Sequence, residues 1–192
     1  MNILKYDVLD FQEKIINEYG RQYHLGVTLI NGVPLLDIVA KYERQAAESA
    51  GHEYNIEDGY AYQFSVDLYC QLLEKSSCAS DSEPALLICS CLEEGCWPLL
   101  VTITETNTSI RWSNLHNHHR SEGKACVWNY DCFPTYEFEK SAYYNALDKL
   151  RSIVETQTEI FGTPVKEEIA RLRKLYADIR KEYGDGEEVV QK

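Results

Sequence analysis

The sequence predicts an α+β fold: an antiparallel sheet of about four to five strands packed with helices from both ends of the chain. Three observations lead there. Between Ala85 and Phe138 the hydrophobic pattern repeats every second residue. On either side of that stretch the spacing lengthens to three and four, the period of amphipathic helices. The strand-like runs are joined by short polar connections, which suit antiparallel neighbours, whereas parallel strands need long crossovers.

Taken in order, "YDVLDFQEKIINEYG" reads as a short helix. Asp10 stands at its cap with Glu13 three residues on, Phe11, Ile15 and Tyr19 recur at helical spacing, and Gly20 is a stop. Val27 to Ile30 reads as a strand and Asn31-Gly32 as a tight turn. Pro34 then opens a helix with Leu35, Ile38, Val39 and Tyr42 on one face. "HEYNIEDGYAY" reads as a loop, and "SVDLYCQLLEK" as a helix capped by Ser65. The segments "ALLICSC", "WPLLVTIT", "TSIRW" and "CVWNY" read as strands, with "YEFE" as a candidate fifth. "KSAYYNALDKLRSIVETQ" returns to helix, with Tyr143 or Tyr144, Leu147, Leu150 and Val154 on its inner stripe. In "TPVKEEIARLRKLYADIRKEYG", Thr163 caps a last helix, Pro164 starts it and Gly184 ends it. Its apolar face carries Ile169, Leu172, Tyr176, Ile179 and Tyr183.

The chain has 192 residues. The pattern implies one domain over 1–184, with the sheet at about 85–139, C-terminal helices at about 140–183, and a flexible tail over 185–192. A chain of this size buries enough surface to fold without disulfides or metal. The net charge is -12. Such a surface repels phosphate backbones and anionic membranes and attracts a basic protein partner. The first residues lack the cationic start and apolar run of an export signal, and no stretch has the length of a membrane span. With seven cysteines, an odd number, the expected compartment is the cytoplasm, with thiols reduced.

The stretch richest in chemistry is "LLICSCLEEGCWPLL", where Cys89, Cys91 and Cys96 fall within eight residues. If "LEEG" is a four-residue hairpin loop, Cys91 faces Cys96, Cys89 faces Pro98 and Leu87 faces Leu100. The three cysteines then share one face, while Leu86, Ile88, Trp97, Leu99, Val101 and Ile103 form the apolar face that belongs in the core. A slip of one residue reverses the assignment. Three readings stay open. The thiols pack, since free cysteine is among the most buried residue types. They bind zinc, with a fourth ligand from "HNHHR", where His116, His118 and His119 cluster and His119 is the leading choice, or from Cys126 or Cys132. Or Cys91 and Cys96 form a disulfide. The C-x2-C pair common in structural zinc sites is absent.

Elsewhere, "WNYDCFPTYEF" is dense in aromatics. Trp128, Tyr130 and Tyr136, with Arg111 and Arg120, are the candidate binding surface, because Trp, Tyr and Arg dominate interface hot spots; the alternative is that the aromatics cover the sheet. No phosphate-binding glycine loop, nucleophile elbow or H-E-x-x-H is present. No catalytic set emerges, so a binding role is favoured over an enzyme.

Several pieces together, "INGVPLLDIV", Gly59-Tyr60, "LLICSCLEEGCWPLL", "IRWSNLHNHHR", "WNYDCFPTYEF" and Tyr144 to Leu147, resemble a widespread group of uncharacterised bacterial proteins. That group carries an I-N-G turn, a C-x-C-x4-C-W-P-L hairpin, a V-x-W strand ending in H-R, and W-x-Y and F-x-F segments before a final helix. The resemblance covers about Ile30 to Leu150, and Leu92 stands where the group's pattern has glycine. It implies a bacterial cytoplasmic protein and no particular activity. The expected function is a non-enzymatic, immunity-like or regulatory module for a basic protein partner, needing no cofactor. The alternative is a small zinc protein or metalloenzyme built on the cysteine hairpin.

Overall fold

The first described element is a β-hairpin, where the sequence spacing predicts a helix. In the computed structural model, which describes residues 6–18, 20–51, 54, 59–77, 83–93, 95–120, 130–160 and 162–183, strand β1 (Leu9–Glu18) pairs antiparallel with β2 (Arg21–Ile30), from Leu9↔Ile30 to Glu18↔Arg21. The spacing misleads because Phe11, Ile15 and Tyr19 are four apart, which is two strand periods as well as about one helical turn. Gly20 turns the hairpin at φ 73° instead of ending a helix. Phe11 is buried, but Ile15 is 47% exposed, so the supposed helical face never forms.

β2 is the long strand that the Val27–Ile30 reading glimpsed, buried from Leu25 onward. Asn31 (φ 53°) and Gly32 (φ 79°) make the tight turn, both in the left-handed region that Asn and Gly tolerate best. A two-residue strand β3 (Val33–Pro34) closes it. Pro34 is the cap residue of α1 (Leu35–Ser49), one position earlier than predicted. Residues 59 onward, read as loop, include edge strand β4 (Tyr60–Tyr62). In α2 (Ser65–Glu74) Phe64 occupies the cap; Ser65 is the first helical residue, and its hydroxyl accepts from Gln157 Nε2 at 3.0 Å.

The central sheet adds β5 (Ala85–Cys89), β6 (Leu99–Glu105), β7 (Ser109–His116) and β8 (Tyr136–Glu139). Its order is β4-β5-β6-β7-β8, antiparallel throughout. Five strands are present, but the set differs from the predicted one. Of "CVWNY", residues 126–129 lie outside the described residues and Tyr130 is not in a strand. β8 is the real "YEFE" strand, and β4 supplies the other edge. Helix α3 (Lys140–Glu155) buries Tyr143, Leu147, Leu150 and Val154, the predicted stripe with Tyr143 rather than Tyr144 inside. A two-stranded ribbon, β9 (Glu159–Ile160) with β10 (Thr163–Pro164), leads into α4 (Val165–Tyr183). Thr163 and Pro164 thus precede the last helix instead of beginning it. Tyr183, placed on its apolar face, is 66% exposed. Gly184 and the tail lie outside the described residues.

The result is an α+β fold. Ala85 to Ile88 of β5 are all buried, as in a strand covered on both faces. The hairpin is stitched to the central sheet at two places. Asp7 N–H donates to Glu137 O at 2.8 Å, and Gly26 N–H donates to Gln63 O at 2.8 Å. At the second stitch β2 presses onto α2: a Cβ on Gly26 would stand 2.7 Å from Leu68 Cδ2. Among the described residues no helix is long and apolar enough to cross a membrane.

Candidate metal centre

The β5–β6 connection is not the regular hairpin that the C-x-C-x4-C spacing suggests. Leu87 pairs with Leu99, and Ala85 with Leu100, across a register shift. The predicted partner of Leu87 was Leu100. Leu86, Leu87, Leu99 and Leu100 are all buried, so the division into an apolar face and a cysteine face does not hold. The cysteines lie where the ladder has ended. Cys89 is the last residue of β5, paired with Tyr60 of β4. Cys91 and Cys96 stand in the loop beyond it.

Local hydrogen bonds fold that loop back on itself. Leu92 N–H donates to Cys89 O at 2.9 Å, with Leu92 at φ 66°. Cys96 N–H donates to Glu93 O at 3.3 Å. Ser90 N–H donates to Gly59 O at 3.2 Å, which anchors the loop beside the start of β4. Cys91 N–H lies 3.5 Å from Cys89 Sγ. The three Sγ atoms come within 4.8 Å of one another. Three thiolates on one tetrahedral ion, each about 2.3 Å from it, stand about 3.8 Å apart, close to the spacing seen here. This group can hold a metal ion. Cys91 and Cys96 are exposed and Cys89 is half-buried. The Cys91 thiol is drawn below its ordinary pKa because Cys89, the Glu93 backbone and Cys96 hydrogen-bond to it. Burial pushes Cys89 up to about 11.

His119, the predicted fourth ligand, is not part of this group. Its ring lies flat on Trp97, 5.0 Å between centroids and 5° between planes. Its backbone N–H donates to Asn117 Oδ1 at 2.9 Å in the short 3-10 turn His118–Arg120. The imidazole is thus stacked against the residue next to Cys96. Cys126 lies outside the described residues, and Cys132 is exposed but outside the group.

Behind Trp97 sits a buried polar network. Arg120 spans its ring at 4.9 Å and reaches Glu43 of α1 with two bonds, Nε to Oε1 at 3.2 Å and an Nη to Oε2 at 3.1 Å. Tyr130 donates its hydroxyl to the same carboxylate, Tyr60 and Tyr130 hydroxyls meet at 2.9 Å, and Asn117 Nδ2 donates to Tyr60 at 2.8 Å. Burial raises both phenols above their ordinary pKa.

Of the predicted binding surface, Tyr130, Tyr136 and Arg120 turn inward. Tyr130 and Tyr136 are each 7% exposed and belong to the core. Burial also pushes the Tyr136 phenol up to about 12. Arg120 is committed to Glu43, whose side chain is 1% exposed. Arg111 is exposed on β7, opposite Thr104 and Glu137. Trp128 lies outside the described residues. The residues that sequence reasoning missed are Glu43, Tyr60, Trp97 and Asn117. One signal was present: Leu35, Val39, Glu43 and Ala47 form an every-fourth-residue stripe, and a glutamate inside an apolar stripe asks for a buried cation.

Comparison with protein-family models, with curated proteins and with solved structures finds no match to this chain.

Proposed function

We propose that this protein binds a thiophilic metal ion, zinc in the first instance, through Cys89, Cys91 and Cys96, and that it is a binding protein rather than an enzyme. The observation that supports this reading is the meeting of three sulfurs within 4.8 Å at the end of β5 and in the loop beyond it. Packing thiols sit in the core, as Cys70 does, whereas Cys91 and Cys96 are exposed. Thiolates are the ligands that soft and borderline cations select. The fourth position is left to water, to a partner's side chain, or to a donor outside the described residues.

The test is elemental analysis of the untagged protein with a native thiol count. One equivalent of zinc, with the three thiols protected, is the expected result, and Cys91→Ser should release the metal. Metal-free protein that takes up no zinc under reducing conditions would sink the reading. A second reading, an acidic module for a basic protein partner, is supported by the net charge of -12. Of its aromatic residues, Tyr130 and Tyr136 are buried. Binding to such a partner that persists at high salt would argue against charge as the driver.

A further inference from the structure

We propose that Cys91 and Cys96 are a reversible oxidation site: a peroxide joins them in a disulfide and thereby dismantles the three-sulfur metal site. The loss of metal rests on the metal-binding reading above; the disulfide does not.

The pair is selected by position. Cys89 ends β5, is paired with Tyr60 of the neighbouring strand and is half-buried, so its backbone is held. Cys91 and Cys96 are both exposed, and the β5–β6 pairing stops at Leu87↔Leu99. The bonds inside their loop are short-range turns, from Leu92 N–H to Cys89 O and from Cys96 N–H to Glu93 O. The two cysteines are thus held in turns and not in a strand ladder, and their sulfurs already lie within 4.8 Å. A Cys89–Cys91 bond would join residues two apart on a chain still leaving a strand, a far tighter ring. Cys70 is buried against Ile169 O, and Cys132 is exposed but outside the sulfur group, so neither offers the same chemistry.

The chemistry balances as two steps. The Cys91 thiolate attacks one oxygen of hydrogen peroxide, the O–O bond breaks, and Cys91 becomes a sulfenic acid as hydroxide departs. The Cys96 thiol then attacks that sulfur, the S–O bond breaks, and the departing hydroxide takes the thiol proton as water. Two thiols and one peroxide yield one disulfide and two waters, with two electrons passing from sulfur to oxygen. A metal bound beforehand leaves in its original oxidation state, because a single thiolate remains to hold it.

The experiment treats reduced, zinc-free protein with one equivalent of hydrogen peroxide, then alkylates, digests and maps the cross-link. The expected result is the loss of two thiols per chain, a Cys91–Cys96 peptide, and full recovery with dithiothreitol. Cys132→Ser should behave as wild type. Cys96→Ser should stop at a sulfenic acid on Cys91 that dimedone traps. A cross-link through Cys89, or Cys91 oxidised no faster than Cys132, overturns the proposal. The same treatment of zinc-loaded protein, followed with a chromogenic zinc indicator, should release one zinc per disulfide. Zinc that stays bound to the oxidised chain also overturns it. A disulfide that forms in a protein which never takes up zinc leaves the oxidation site standing and removes the metal-binding reading alone.

Discussion

Glu43 is buried, and its charge is answered by Arg120 and by the Tyr130 hydroxyl. Removing one partner of a buried ion pair strands the other, and the cost of that exceeds the net worth of the pair. Glu43→Gln should therefore destabilise the protein by about 3 kcal/mol, measured by urea unfolding, and adding Arg120→Met should recover part of the loss. At the opposite limit stands Glu105, partly exposed between Lys75 (2.7 Å) and Lys140 (2.6 Å). The Lys140 and Lys75 ammonium groups hold its carboxyl well below the usual range, at about 2. A depressed carboxylate pKa stabilises the fold above the unfolded value, and that stabilisation is lost as pH falls through the folded value. Glu105→Gln should thus cost about 1 kcal/mol or less at neutral pH. The gap between variant and wild type should narrow from about pH 4.5 downward and close near pH 2. A gap that stays constant to pH 2 would show that the carboxylate's charge is not what stabilises.

Among the elements, the cysteine loop carries one local conflict. Leu92 holds φ 66°, where a residue with a Cβ is strained and glycine is not. Leu92→Gly should stabilise the chain by up to about 1 kcal/mol, read as a rise in the thermal midpoint, with the sulfurs undisturbed; a fall would mean that the half-buried Leu92 side chain contributes more than its backbone strain costs. The β1–β2 hairpin has the opposite character. Its turn, its register from Leu9↔Ile30 to Glu18↔Arg21, and the near approach of Gly26 to Leu68 all agree with one another. Asn31 adds a local lock, accepting Val8 N–H at Oδ1 (2.9 Å) while its Nδ2 donates to Asp7 (2.8 Å).

For the whole molecule, 31 acidic residues against 19 basic ones leave a net charge of -12. Self-repulsion on that scale works against the folded state, and salt screens it. The urea midpoint should rise when sodium chloride is raised from low to moderate concentration, and a fall would mean that ion pairs such as Lys75–Glu105 outweigh the net repulsion. Much of this molecule was legible in one dimension. The helices over α1, α2, α3 and α4 and the strands β5 to β8 follow from period and turn chemistry, which are local and written in adjacent residues. The cysteine cluster was legible as a trio because the three positions are close in the chain. Its failures were also physical. A four-residue spacing serves a strand face as well as a helix turn, so β1 needed β2 to decide it. Register across β5 and β6 is set by which leucines the rest of the core accepts, and both faces of β5 were claimed. Glu43, Arg120, Tyr60, Tyr130 and Asn117 come from α1, β4 and the segments after β7, and only the closing of the chain brings them together. The sequence by itself determined the α+β class, most of the elements and the sulfur-rich loop, because those depend on near neighbours. The tertiary structure alone decided that Tyr130 and Tyr136 go inward, that His119 stacks on Trp97, and that Cys91 and Cys96 stay at the surface, because each of these depends on contacts between residues far apart in the chain.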